Sequence, residues 1–241
     1  MKILLAILCT VLSLSLFAQS TTIKDPNAVP RTLNGSFTAI SVTDGIDLYL
    51  STGSTESVAV SFSEAKFEEK FKTVVENGVL KIYYDSEGMN WGTNKKRKLK
   101  AYVSFKTLEK LNASGGASVK LTSNSSFNKL SMKVTSGARF EGQLKAAELD
   151  IDQNSGSFVE ISGSTDKLTI DVSSGADFKG YELSSTFCDA KASSGGTARI
   201  TIEKELNAKA NSGGSVHYKG QGVVKDLDVN SGGVVKKSNS K

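Results

Sequence analysis

Histidine occurs once in this chain, tryptophan once, and cysteine and proline twice each. So little cysteine and histidine leaves almost no material for a Cys/His zinc site, a disulfide framework or a histidine-dependent catalytic constellation. The scarcity of proline excludes a proline-rich disordered chain, and the 22 glycines follow no collagen-like three-residue period. Charge of one sign is also missing. Thirty basic against 25 acidic side chains give a formal net charge of +5, too mild and too dispersed for a nucleic-acid-binding surface. What is present is a foldable mixture, 38% apolar and 23% charged over 241 residues, and one domain is the working expectation.

The only long apolar run opens the chain. Lys2 is followed by ILLAILCTVLSLSLF (3–17) and then by Ala18 and a polar stretch from Gln19, the layout of a secretory signal peptide cleaved near Ala18. The run is short for a bilayer span and no stop-transfer charges follow it, so no transmembrane segment is expected after cleavage. Leu8 is bulky where a lipoprotein peptidase needs a small residue, which disfavours lipidation at Cys9. Cleavage leaves Cys188 as the only thiol, without a disulfide partner.

A Ser-Gly-small tripeptide recurs at Ser114, Ser136, Ser155, Ser174, Ser194, Ser212 and Ser231, at intervals of 22, 19, 19, 20, 18 and 19 residues. Glycine enters positive φ without steric cost, so each copy reads as a tight turn. Aligned on their serines, the copies carry apolar residues at even offsets, the signature of strands with one buried face. Leu108, Leu130, Leu149, Leu168, Cys188 and Leu206 stand six before; Met132, Ile151, Ile170, Ala190, Ala208 and Leu227 four before; Phe140, Val159, Phe178, Ala198, Val216 and Val235 four after. Gln153 interrupts the column two before and is either hydrogen-bonded inside or turned outward. Gly142, Gly163, Gly180 and Gly220 mark a second bend, and alanine at 190, 192, 198, 208 and 210 predicts a narrower interior near the fifth and sixth copies.

A β-solenoid of about 19-residue coils buries these columns as ladders about 4.8 Å apart. An antiparallel meander fits less well, because no copy carries the Asn-Gly or Asp-Gly pair that hairpins favour. The reading is all-β: signal peptide 1–18, flexible leader 19–30, N-terminal strand-rich capping portion 31–110, Ser-Gly solenoid 111–235 and basic tail 236–241. In the capping portion FTAISV, IDLYL, VAVSF, VLKIYY and LKAYVSF alternate as strands, and SEAKFEEKF (63–71), with Phe67 and Phe71 four apart, predicts a short amphipathic helix.

With RTLNGSFTAISVTDGIDLYL (31–50) preceding the Ser-Gly copies, residues 31 to about 235 resemble the putative auto-transporter adhesin, head GIN domain family of secreted bacterial proteins. Gly45, Ile46 and Asp47 match that family's Gly-Ile-Asn and depart from it at the third position. The resemblance implies a right-handed β-helix-like fold shaped like pectin lyases, no recognised catalytic residues and a role in cell adhesion. It also points to the Bacteroidetes, whose signal peptides often end in Ala-Gln, as at Ala18-Gln19 here.

A polysaccharide lyase or hydrolase needs clustered carboxylates in a groove walled by long loops, and intervals of 18 to 22 leave none across the repeat. Asp150, Asp152 and Asp171 are expected to face water. Calcium-binding solenoids repeat aspartate in their turns, whereas three after each serine only Asp177 is acidic. His217 is expected at the surface and Cys188 as a buried, unreactive thiol. The segment 85–100 places Trp91 near Lys95, Lys96, Arg97 and Lys98. It reads first as a solvated hairpin loop, and alternatively as a partner patch offering a stacking face and cations to anionic glycans, lipopolysaccharide or lipid.

The function expected is therefore that of an exported, non-enzymatic adhesion-type module acting on a glycan or a cell-surface protein without a cofactor. A polysaccharide-acting enzyme and a structural envelope component are the alternatives. A solenoid end exposes strand edges, so homo-oligomers are a further expectation, with Lys236, Lys237 and Lys241 placed to discourage or regulate end-to-end stacking.

Overall fold

A computed structural model describes residues 25–86 and 97–238. The Ser-Gly turn organises it. Ala138 N–H donates to the Thr135 carbonyl at 3.0 Å, closing a four-residue turn whose central residues lie at positive φ, Ser136 at 54° and Gly137 at 73°. That is the type I′ pattern, which needs a left-handed residue at both central positions. Holding serine there costs about 1 to 2 kcal/mol, and glycine beside it costs nothing comparable. Hydrogen bonds between stacked turns offset the strain: Gly137 N–H donates to the Ser155 carbonyl at 3.0 Å, Gly156 to Ser174 at 3.1 Å and Gly175 to Ser194 at 3.1 Å.

Two turns depart from the sequence expectation. In the first copy the left-handed pair is Gly115-Gly116, one residue beyond Ser114, so Leu111 stacks on Met132 and Ala113 on Val134. Leu108, expected over Leu130, is buried but precedes the strand. Asp44-Gly45, at φ of 63° and 68°, makes the same turn without a Ser-Gly sequence, and it is there that the Gly45-Ile46-Asp47 tripeptide lies.

On the side leading into the turns, β2 (Ala39–Val42), β8 (Lys110–Ala113), β10 (Ser125–Val134), β11 (Arg139–Gln153), β12 (Phe158–Val172), β13 (Asp177–Ala192), β14 (Thr197–Ala210) and β16 (Val223–Val229) stack in parallel. One column runs Ile40, Leu111, Met132, Ile151, Ile170, Ala190, Ala208 and Leu227 in register. Beyond the turns, β3 (Asp47–Thr52), β9 (Ser118–Leu121), the first halves of β11 to β14, β15 (Ser215–Lys219) and β17 (Val234–Lys237) form a second parallel ladder. Its column is Leu48, Val119, Phe140, Val159, Phe178, Ala198, Val216 and Val235. The stacked parallel coils are a β-solenoid, as the spacing predicts.

Gly142 and Gly180 make room for neighbouring side chains, and the ladder to β14 shifts register just after Gly180. They lie inside β11 and β13, and a Cβ at Gly180 would meet the Phe178 ring at 2.4 Å. Gly180 vacates the volume that Phe178 fills, and Gly142 leaves room for Leu121 and the edge of the Phe140 ring, whereas the intervening windings carry the smaller Val159 and Ala198 with Ile161 and Ile200. Large and small positions thus alternate winding by winding, which keeps the interior close-packed. Where alanine dominates, the windings approach so closely that a Cβ at Gly196 would meet the Val172 carbonyl oxygen at 2.4 Å. Gln153 stays inside its column, its amide nitrogen donating to the carbonyls of Ser157 at 3.0 Å and Asp177 at 2.8 Å.

The N-terminal portion covers the first windings. β6 (Val79–Tyr84) and β7 (Leu99–Phe105) continue the two parallel ladders below β2 and β3. They are covered in turn by antiparallel β5 (Phe71–Glu76) and β4 (Ser57–Phe62). Asn77-Gly78, with φ of 51° and 73°, closes the β5–β6 hairpin. The helix expected over 63–71 reduces to a 3-10 turn at Ala65–Phe67, because Phe71 already belongs to β5 and so short a segment gains little from helical hydrogen bonds. The flexible leader expected over 19–30 is corrected from Asp25 onward. There β1 (Val29–Arg31) pairs antiparallel with β4, and the Asp25 carboxylate accepts hydrogen bonds from Ser61 and Tyr102, both at 2.7 Å. Likewise Lys236 and Lys237, expected in a tail, belong to β17.

Candidate binding face

Alternation that sends one set of side chains inward sends the next outward. Beyond the turns, the outward rows converge on an open groove of about 430 Å³ lined by Glu141, Glu160, Ser162, Lys179, Tyr181 and Arg199. Glu141 and Glu160 are directly opposed in the ladder, and Lys179 follows Glu160. Phe158 lies beside the groove between two cations, the Arg139 guanidinium 4.2 Å and the Lys179 ammonium 4.8 Å from its ring centre. Arg199 is anchored by Asp177, and Lys219 sits 3.5 Å from Glu182 and 5.3 Å from the Tyr181 ring. Both signs of charge, a hydroxyl and aromatic surface therefore meet in one shallow channel, a set suited to hydroxyl-rich or mixed-charge ligands. Asp177, the one acid at the turn position considered for calcium, is committed to Arg199.

The strands leading into the turns present a second outward face, where Asp150, Asp152 and Asp171 face water as expected, each with a lysine partner. Lys129 reaches Glu148 at 2.9 Å and Asp150 at 3.4 Å, Lys133 reaches Asp152 at 3.1 Å, and Lys191 reaches Asp171 at 2.8 Å. Hydrogen bonding to Glu148 holds the Lys129 ammonium above its ordinary pKa. Exposed pairs of this kind add little stability and mainly keep neighbouring rows compatible. Among the described residues, no three His, Cys, Asp or Glu side chains come together as metal ligands.

Trp91, Lys95 and Lys96 lie outside the described residues. Arg97 is described, and it does not project freely: its guanidinium stacks 4.3 Å from the Tyr84 ring centre. Lys98 is exposed. Five positions separate Val42 from Asp47, while eighteen separate their ladder partners Ile82 and Lys100. His217 is half-buried on the groove side, in register between Arg199 and Lys236. Cys188 is buried, and desolvation pushes its thiol far up, leaving it unionised and unreactive. Sequence reasoning missed Phe158, Lys179, Tyr181 and Arg199. Their signal lay in the odd offsets after each serine, which carry no periodic pattern of their own.

Solved structures share this fold. A putative adhesin from Bacteroides fragilis superposes with a TM-score of 0.77 at 15% identity over 89% of this chain and 98% of its own. A putative adhesin from Parabacteroides distasonis gives 0.67 at 18% identity over 88% and 97%. A putative lipid binding protein from the same species gives 0.61 at 18% identity over 89% and 98%. At such identities the likeness establishes the fold alone. No curated protein matches the chain. Among the described residues no helix is long and apolar enough to cross a membrane. The family model for the putative auto-transporter adhesin, head GIN domain, matches residues 36–222, most of the sequence including every Ser-Gly copy but the last, and the chain belongs to that family.

Proposed function

We propose that the protein is exported after cleavage near Ala18 and works as a non-enzymatic, adhesion-type module, holding a glycan or a cell-surface protein along the face beyond the turns. The observation that carries this reading is the open groove of about 430 Å³ at Glu141, Glu160, Ser162, Lys179, Tyr181 and Arg199, built on the parallel ladder of β11 to β14. Membership of a family named for adhesion supports it. The basic run Lys95, Lys96, Arg97 and Lys98 is a second contact on the same reading, drawing anionic ligands by its charge.

The test is a panel of glycans scored for two outcomes at once, retention of the purified protein and release of new reducing or unsaturated ends. Retention without new ends is expected, and Lys179→Ala weakens it about tenfold, a loss of ~1.4 kcal/mol. New ends would make the protein an enzyme. Neither retention nor new ends would favour a structural envelope role, and retention that survives loss of Lys179 but falls on neutralising the four basic residues would move the contact to that basic run.

A further inference from the structure

The two ends of the stack are finished differently. At the first, β5 and β4 lie antiparallel over β6 and β7, and Leu80, Ile82 and Ala101 beneath them are fully buried. At the other, β16 and β17 pair on one side only among the described residues, with β14 and β15. The inward columns are buried at Ala208 and Ala210, but one winding later Leu227 is 56% exposed and Val229 43%. Val223, at 64%, and Val234, at 43%, extend the apolar edge. The two terminal strands also differ in charge: β16 carries Asp226 and Asp228 beside Lys225, which is paired with Glu205 of the winding before, whereas β17 carries Lys236 and Lys237 and no acid.

From this we infer that the terminal winding is a homodimer interface, occupied by the same end of a second copy across a two-fold axis near the Ser231-Gly232 turn. Such an axis reverses strand direction, so β16 meets the partner's β17 antiparallel, the arrangement by which β4 and β5 already cover the opposite end. The aspartates near the end of β16 then face the lysines of the partner's β17, twice by symmetry. The register that keeps inward residues opposite inward residues sets Val229 against the partner's Val235 and Asp228 against the partner's Lys236. It also lays Leu227 along the aliphatic stem of the partner's Lys237. A head-to-tail contact has no comparable match, since at the covered end Val29 is the one large apolar residue exposed among those described. A like-to-like contact closes on itself, which limits assembly to a dimer rather than a fibre.

Sedimentation and light scattering of the exported chain over a range of concentration test this. A reversible dimer is expected. Asp228→Lys or Lys236→Asp alone weakens it at least about tenfold, and the combined exchange restores it to within about threefold. Circular dichroism melts confirm that each variant is folded, and Leu227→Glu provides an independent disruption. A protein that stays monomeric at about millimolar concentration, that grows beyond two copies, or whose combined exchange fails to recover dimerisation overturns the inference.

Discussion

Glycine serves two separate purposes in this chain. At Gly137 the requirement is conformational: φ is 73° and no atom lies within 4 Å of the place a methyl would occupy. At Gly196 it is spatial, because φ is not in the left-handed region and a methyl would strike the Val172 carbonyl. Gly137→Ala is therefore expected to cost about 1 to 2 kcal/mol, the strain alone, and Gly196→Ala more than about 2 kcal/mol, since backbone must move. Urea melts of the two variants decide it, and the reverse order would mean that the windings are not in such close contact. The residue scale also shows what sequence reading reaches. Serine and glycine mark the turns and leucine, isoleucine and valine mark the columns, because period-2 burial leaves a direct trace. Ser114-Gly115-Gly116 allows two alignments, and only pairing between windings selects the one that puts Leu111 over Met132. Gln153 is ambiguous in sequence for the same reason, since its acceptors, Ser157 and Asp177, include one from the next winding.

At the scale of elements, the strands of residues 37–105 are legible in their alternation, but the way they cover the solenoid is not. Pairings such as β4 with β7 and β1 with β4 join segments tens of residues apart, and no local pattern encodes them. The docking of residues 25–31 is one such hidden contact, and its carboxylate makes a pH response the expectation. Hydrogen bonds from Ser61, Tyr102 and the Asn27 N–H hold the Asp25 carboxyl below its ordinary 3.8. A carboxyl lowered in the folded state stabilises above its unfolded pKa and loses that contribution as pH falls through the lowered value. Tyr102 is pushed up to about 12, first by burial and then by Asp25, so it donates throughout the neutral range and lets go only at strongly alkaline pH. Protection of the Ala28, Val29 and Arg31 amides, taken relative to the intrinsic exchange rate at each pH, is accordingly expected to be high at neutral pH and to fall below pH 3.8. Asp25→Ala should lower that protection at neutral pH, and equal protection in that variant would show that β1 holds by its backbone pairing alone.

For the whole molecule, the face that runs beyond the turns is the least legible part. Its groove is assembled from outward-facing positions in different windings, each unremarkable in its own copy. Architecture emerges from repetition, whereas the proposed contact face is made of the irregular residues that the repeat leaves unconstrained. The alternation of phenylalanine-over-glycine windings with valine-over-isoleucine or alanine-over-isoleucine ones carries one last implication, about length. Excising residues 155–173 would bring Phe178 against Phe140 and Gly180 against Gly142, doubling bulk at one level and emptiness at the next. Excising 155–193 removes more core, yet returns Ala198 and Ile200 to the neighbourhood of Phe140 and Gly142 and should melt at the higher temperature of the two. A lineage lengthening or shortening this scaffold would then find only even steps open, each altering its reach by about 10 Å.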